Sequence, residues 1–197
     1  YRISQIRSMK TVCLFCASLD GNDPFFSKNA EEFGEILAKK QYSFLYGGGS
    51  LGLMGIAAKS ALKHKVKVIS IIPEYLDKPN IIFSKSDEIV KTKTLAERKE
   101  KMIKISDIFV ALPGGVGTLD EVTDVISGAA LGEHKKPIFL ININNFWDPF
   151  IQMLEHMKKS GLIRSKGDEN LNHSSLKNLF VVKNLNELSN HPSFNIS

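Results

Sequence analysis

Ile108-Phe109-Val110-Ala111-Leu112-Pro113-Gly114-Gly115-Val116-Gly117-Thr118-Leu119-Asp120-Glu121 decides the fold: an apolar run ends in a glycine-rich turn, and helical spacing follows. A short apolar run bounded by proline and glycine reads as a strand buried on both faces. Working outward, apolar runs recur at Thr11–Ala17, Phe44–Tyr46, Val66–Ile72 and Pro137–Ile143, with a weaker one at Leu179–Val182. Helical spacing fills the intervals at Pro24–Lys40, Leu53–His64, Leu95–Ile105, Thr118–Leu131 and Trp147–Ser160. Buried strands alternating with helices predict an α/β fold, a single-domain parallel sheet with helices on both faces. Ser27 or Asp23 can cap the first helix, and Gly161 stops the last. The polar tail from Asn184 to Ser197 is expected to dock only loosely.

The chain has 197 residues, 43% of them hydrophobic, which suits one core. Residues 1–8, ahead of Met9, read as an extension, leaving 9–197 as the domain. A net charge of +5 favours anionic ligands. The basic residues are scattered, however, and form no block of the kind that grips nucleic acid. No apolar run approaches the roughly 20 residues needed to span a bilayer, and the first ten residues lack a secretory apolar stretch, so a cytoplasmic protein with no membrane partner is expected.

Cys13 and Cys16 form a C-x-x-C inside the first strand run, where residues three apart fall on opposite faces. They are expected to be buried thiols rather than joint metal ligands. His64, His134, His156, His173 and His191 show neither metal spacing nor a serine and aspartate alongside. No metal and no cofactor are expected.

In parallel sheets ligands bind beyond the carboxyl ends of the strands. Two glycine loops lie there. After the second strand, Gly47, Gly49 and Gly52 satisfy G-x-G-x-x-G. A dinucleotide site would also need an acidic residue at the end of the next strand to grip a ribose diol, but that run ends at Pro73-Glu74. Otherwise the missing side chains let backbone amides approach a small anion, or let the helix pack closely. After the strand at Ile108–Leu112, three glycines and a hydroxyl open a helix and form a nest of N–H donors suited to phosphate. It is not a P-loop, because no lysine follows the last glycine.

Glu121 sits in the first turn of that helix, so a carboxylate and the phosphate loop share one rigid element. Either it does chemistry beside the phosphate, or Asp120 and Glu121 complement the helix dipole. Asp124, three residues on, either orients Glu121 or is solvated. Arg98 and Lys99 upstream either pair with a phosphate or carboxylate or form a wet helix face.

Taken in order, Tyr46-Gly47-Gly48-Gly49-Ser50, Gly52-Leu53-Met54-Gly55, Glu97-Arg98-Lys99, Met102, Pro113-Gly114-Gly115-Val116-Gly117-Thr118 and Glu121 resemble the LOG family of phosphoribohydrolases, long mislabelled as lysine decarboxylases. The resemblance runs from about Thr11 to Ile163 and takes in Leu131-Gly132, His134, Lys136-Pro137 and Gly161-Leu162-Ile163. It implies a homodimeric Rossmann-like fold that hydrolyses a nucleoside 5'-monophosphate to free base and ribose 5-phosphate. Arg98 and Glu121 would be the catalytic pair. The substrate and phosphate contacts would be Gly48, Gly49, Ser50, Asn80, Lys99, Gly114, Gly115, Val116, Gly117, Thr118 and Ser127.

The chain departs from the family pattern at Cys16-Ala17-Ser18-Leu19, at Asn80 where a glutamate is usual, at Leu95-Ala96, at Ser127 where a threonine is usual, and at Gly128 and Ala130. These positions lie on the base and dimer side, so adenosine 5'-monophosphate is a plainer expectation than a cytokinin nucleotide. The alternative function is a nucleotide or molybdenum-cofactor carrier using the same loops without turnover. A pyridoxal-phosphate decarboxylase would need a Schiff-base lysine and a larger binding fold.

Overall fold

Side chains along β1 (Thr11–Phe15) alternate between two cores: Val12 and Leu14 enter one, Cys13 and Phe15 the other. The same alternation in β5 (Ile108–Ala111) sends Ile108 and Val110 to the first core and Phe109 and Ala111 to the second. A strand buried on both faces lies inside a sheet covered twice. The computed structural model describes residues 9–163 and 176–195. The extension read at 1–8, and His173, lie outside the described residues.

Seven parallel strands form one sheet in the order β4-β3-β2-β1-β5-β6-β7. The others are β2 (Ser43–Tyr46), β3 (Val68–Pro73), β4 (Glu88–Thr92), β6 (Ile138–Ile141) and β7 (Leu179–Val182). β1 pairs with β2 on one side and β5 on the other, Leu14 opposite Tyr46 and Val110. The strand order therefore reverses at the β1/β5 seam, where the two loops diverge and leave a crevice.

On one face α1 (Pro24–Lys40), α2 (Gly52–Lys63) and α6 (Leu185–Asn190) bury Phe33, Leu37, Ala57, Ala61, Leu185 and Leu188. α1 and α2 approach closely because Gly34 has no side chain; a Cβ there would stand 2.5 Å from the Ala61 amide nitrogen. On the other face α3 (Leu95–Ile105) buries only Met102, α4 (Val116–Leu131) buries Val122, Val125 and Ile126, and α5 (Asp148–Lys159) has no fully buried residue.

The α/β expectation holds, with helix and strand limits within a few residues. Asp23 is the cap of α1, its carboxylate accepting from the Phe25 amide at 2.9 Å. Two readings are corrected. β4 was not among the expected strands: it is an edge strand with charged Glu88 and Lys91 exposed, so its apolar alternation is weak. As far as Asn195 the tail does not dock loosely, and residues 196 and 197 lie outside the described residues. Phe194 is fully buried, Tyr42 Oη donates to its carbonyl at 2.7 Å, and Leu185 and Leu188 anchor α6. Three well-spaced apolar side chains suffice to seat a segment that is polar on average.

Candidate active site

At the β1/β5 reversal the segment after β1 and the loop after β5 enclose a cavity of about 320 Å³. Cys16 to Leu19 line one wall, Met54 and Leu95 another, and Gly115 to Thr118 with Asp120 and Glu121 a third, while Arg98 and Lys99 reach in from α3. The two loops are tied together by the Ala17 amide, which donates to the Pro113 carbonyl at 3.2 Å.

The loop after β5 leads directly into α4. Gly115 is the N-cap and contributes no side-chain cap. The Leu119 amide donates to the Gly115 carbonyl at 3.0 Å. For the amides of Val116, Gly117 and Thr118, no acceptor is found among the described residues. These are the orphan donors of a helix N-terminus, at its positive end, facing a cavity. Val116 is 85% exposed, and a Cβ at Gly115 or Gly117 would meet nothing within 4 Å. Gly114 lies behind them and Thr118 is buried, the Thr118 methyl 2.7 Å from where a Gly114 Cβ would stand. Such a cradle can take a phosphate dianion.

α3 begins where Thr94 caps it, its hydroxyl accepting from the Glu97 amide at 3.1 Å, and this cap fixes the rotation of the following turn. Arg98 then points inward, and its Nη2 donates to Glu121 Oε1 at 2.5 Å. Both side chains are nearly enclosed, 14% and 12% exposed. Arg98 Nε is buried without a partner among the described residues. Burial pushes the Glu121 carboxyl up to about 7, against the opposing pull of Arg98. It is thus a group able to exchange a proton near neutrality.

Lys99, beside Arg98 on α3, pairs with α4, 3.1 Å from Asp120 and 3.5 Å from Asp124. Partial burial would lower its pKa, but the two carboxylates outweigh that and raise it. Asp124 therefore serves Lys99 rather than touching Glu121, and Asp120 does more than face a helix dipole.

The remaining expected contacts do not line this cavity. Gly48, with φ of +81°, accepts from the Phe83 amide at 2.8 Å through its carbonyl, and Gly49 forms a β-bridge with Ile82. Ser50 Oγ donates to the Asn80 carbonyl at 3.3 Å, so those two residues lie together, outside the lining of the cavity that includes Glu121. Ser127 lines a separate cavity of about 520 Å³ between α3 and α4, which shares Lys99 with the first. The resemblance put Cys16 to Leu19 and Leu95 on the base side of the site, and they do line the cavity, whereas Met54 was given no site role. Cys16 to Leu19 follow β1 directly, in keeping with ligands sitting beyond the carboxyl ends of strands.

Cys13 and Cys16 are free, buried and divided between the two cores, and burial pushes both thiols up. Among the described residues no three His, Cys, Asp or Glu side chains are grouped to hold a metal ion, and no helix is long and apolar enough to cross a membrane. His134 packs against Phe109, ring centroids 5.5 Å apart, and burial lowers its pKa.

A family model described as "possible lysine decarboxylase" matches residues 54–185. Cytokinin riboside 5'-monophosphate phosphoribohydrolase LOG of Oryza sativa subsp. japonica is 36% identical over 154 residues, 78% of this chain and 64% of the rice protein. The probable LOG4 enzyme of the same plant is 33% identical over 88% of this chain and 72% of its own length. LOG1 of Arabidopsis thaliana is 36% identical over 78% and 72%. Among solved structures, the molybdenum cofactor carrier protein of Chlamydomonas reinhardtii superposes with a TM-score of 0.65 at 20% identity, covering 92% of this chain and 94% of the carrier. At that identity the likeness establishes the fold alone.

Proposed function

This chain belongs to the LOG family, whose model carries the description "possible lysine decarboxylase", and from that premise we propose that it hydrolyses the N-glycosidic bond of a nucleoside 5'-monophosphate. Base and ribose 5-phosphate are the products. The observation that carries the reading is the enclosed Arg98–Glu121 pair, 2.5 Å apart, on the wall of the cavity that the unclaimed amides of Val116 to Thr118 also face.

In this reading the amides from Val116 to Thr118 hold the 5'-phosphate, and Lys99 adds positive charge at the rim. Glu121, as carboxylate, stabilises the oxocarbenium character that develops at C1' and takes a proton from the attacking water. The water oxygen bonds to C1', the C1'–N bond breaks with its electron pair leaving on the base, and the base takes up a proton. Arg98 keeps the carboxylate aimed with a fork that lysine would not reproduce. Adenosine monophosphate is the substrate of first choice, with the cytokinin riboside monophosphates named for the relatives second. The chain acts as a homodimer, a reading supported by the thinly covered α3–α5 face with Leu131, Met153 and Leu162 exposed.

The test is a panel of nucleoside monophosphates assayed for free base. Glu121→Gln should lower kcat by about a thousandfold while nucleotide still binds, since a positioned acid–base group contributes roughly 10²–10⁴. Because the working form is ionised and the carboxyl sits at about 7, kcat/KM should rise with pH through neutrality and level off above it. Tight nucleotide binding with no base released from any member would point instead to a carrier.

A further inference from the structure

We propose that Gly47 is a positioning residue for the Arg98–Glu121 pair: its missing side chain is the seat in which the arginine's guanidinium lies. The inference deepens the phosphoribohydrolase reading and rests on it for its kinetic arm only.

Gly47 closes β2 at the foot of the glycine loop. A Cβ built there would overlap Arg98 Nη2 and stand 3.1 Å from Cζ. Nη2 is the atom that donates to Glu121. Backbone conformation does not call for glycine at this position, since Gly48 and Gly52 have positive φ and Gly47 does not. Space for the guanidinium does call for it.

The loop cannot retreat to make that space another way. Tyr46, fully buried and stacked on Phe44 with centroids 4.8 Å apart, donates from Oη to the Gly49 carbonyl at 3.1 Å. Met54 closes the side, its sulfur 3.6 Å from the absent Cβ. The guanidinium is thereby held between a glycine on one side and a carboxylate on the other. A glycine in a nucleotide-like motif thus does its work by accepting an arginine.

The charged and titratable groups acting on Glu121 are Arg98 and Lys99 from α3 and Asp120 from α4, and it in turn acts on Cys13 and Cys16 of β1 and its loop. Arg98 draws the carboxyl downward against burial. A methyl at residue 47 that displaces the guanidinium removes that pull. The carboxyl then ionises at higher pH.

The experiment compares Gly47→Ala with the parent chain, alone and in an Arg98→Ala background. With adenosine monophosphate, Gly47→Ala should lower kcat at least thirtyfold, move the acidic limb of kcat/KM to higher pH by half a unit or more, and cost less than threefold once Arg98 is alanine. An equal loss in both backgrounds, or a fall in rate with an unmoved limb, overturns the proposal. The carboxyl carbon of Glu121, followed by NMR as pH is varied, reads the seat without turnover. An upward shift in Gly47→Ala supports it even if the parent releases no base, an outcome that would sink only the hydrolase reading. If Gly47→Ala does not fold, restoration of folding by Arg98→Ala supports the seat and failure to restore it overturns it.

Discussion

The two glycine loops flank β1 symmetrically, one after β2 and one after β5, and each opens a helix, yet their glycines answer to opposite demands. After β2 the vacant Cβ positions are filled by the chain itself: Arg98 at Gly47, the Met54 methyl 3.1 Å from Gly49, the backbone of Ser18 and Leu19 at Gly52, and the Ser50 carbonyl at Gly55. The amides that open α2 are claimed as well, Met54 donating to Ala17 at 3.1 Å and Leu53 to Leu19 at 3.4 Å. After β5 the positions beside Gly115 and Gly117 are empty, and the amides of Val116 to Thr118 have no acceptor among the described residues. The lesson is that a glycine motif marks close approach without saying by what. One loop is approached by protein, and the other is left open.

Alanine substitution should separate the two. Gly52 has φ of +58°, and a Cβ there would overlap the Ser18–Leu19 peptide, with the Ser18 carbonyl oxygen at 2.5 Å. Gly52→Ala should destabilise the chain by roughly 3 kcal/mol, combining left-handed strain with a backbone clash. Denaturant unfolding would read the loss. A midpoint equal to that of the parent would mean that the loop after β2 is open after all.

Gly117→Ala should behave in the opposite way. No neighbour resists the methyl and the position is already helical, so stability is held or slightly raised. The methyl projects at the cavity wall, and affinity for nucleoside monophosphate should fall by about tenfold, some 1.4 kcal/mol. Calorimetric titration beside a melting curve checks both halves. Lost stability with unchanged affinity would reverse the assignment of the two loops.

Much of this was legible in the sequence, for a physical reason. Strands buried on both faces, such as Ile108–Ala111, are uninterrupted apolar runs, and Gly114 to Thr118 opening α4 is a local pattern that needs no partner to be read. β4 was not legible, because Glu88 and Lys91 face solvent at the sheet edge. Arg98 and Glu121 could be named as candidates, but their mutual pairing depends on how α3 lies against α4, which periodicity does not encode. The meaning of Gly47, Gly49 and Gly52 was equally hidden, since it rests on which distant side chains fill the space.

The smallest effect offers the sharpest division between the loops. Ser50 carries the one side-chain hydroxyl in the glycine run after β2, and family resemblance would place it on the substrate. Its Oγ instead donates to the Asn80 carbonyl at 3.3 Å in an exposed setting, and its amide donates to the Ile81 carbonyl at 2.8 Å. The backbone bond survives truncation of the side chain, and an exposed hydroxyl bond contributes little, so Ser50→Ala should change stability by about 0.5 kcal/mol or less. If that loop serves only to seat the protein's own groups, KM for adenosine monophosphate should stay within about twofold of the parent. A clear rise in KM at unchanged stability would mean that the segment from Gly48 to Asn80 closes over bound nucleotide, and the partition between a protein-filled loop and a ligand-filled loop would no longer hold.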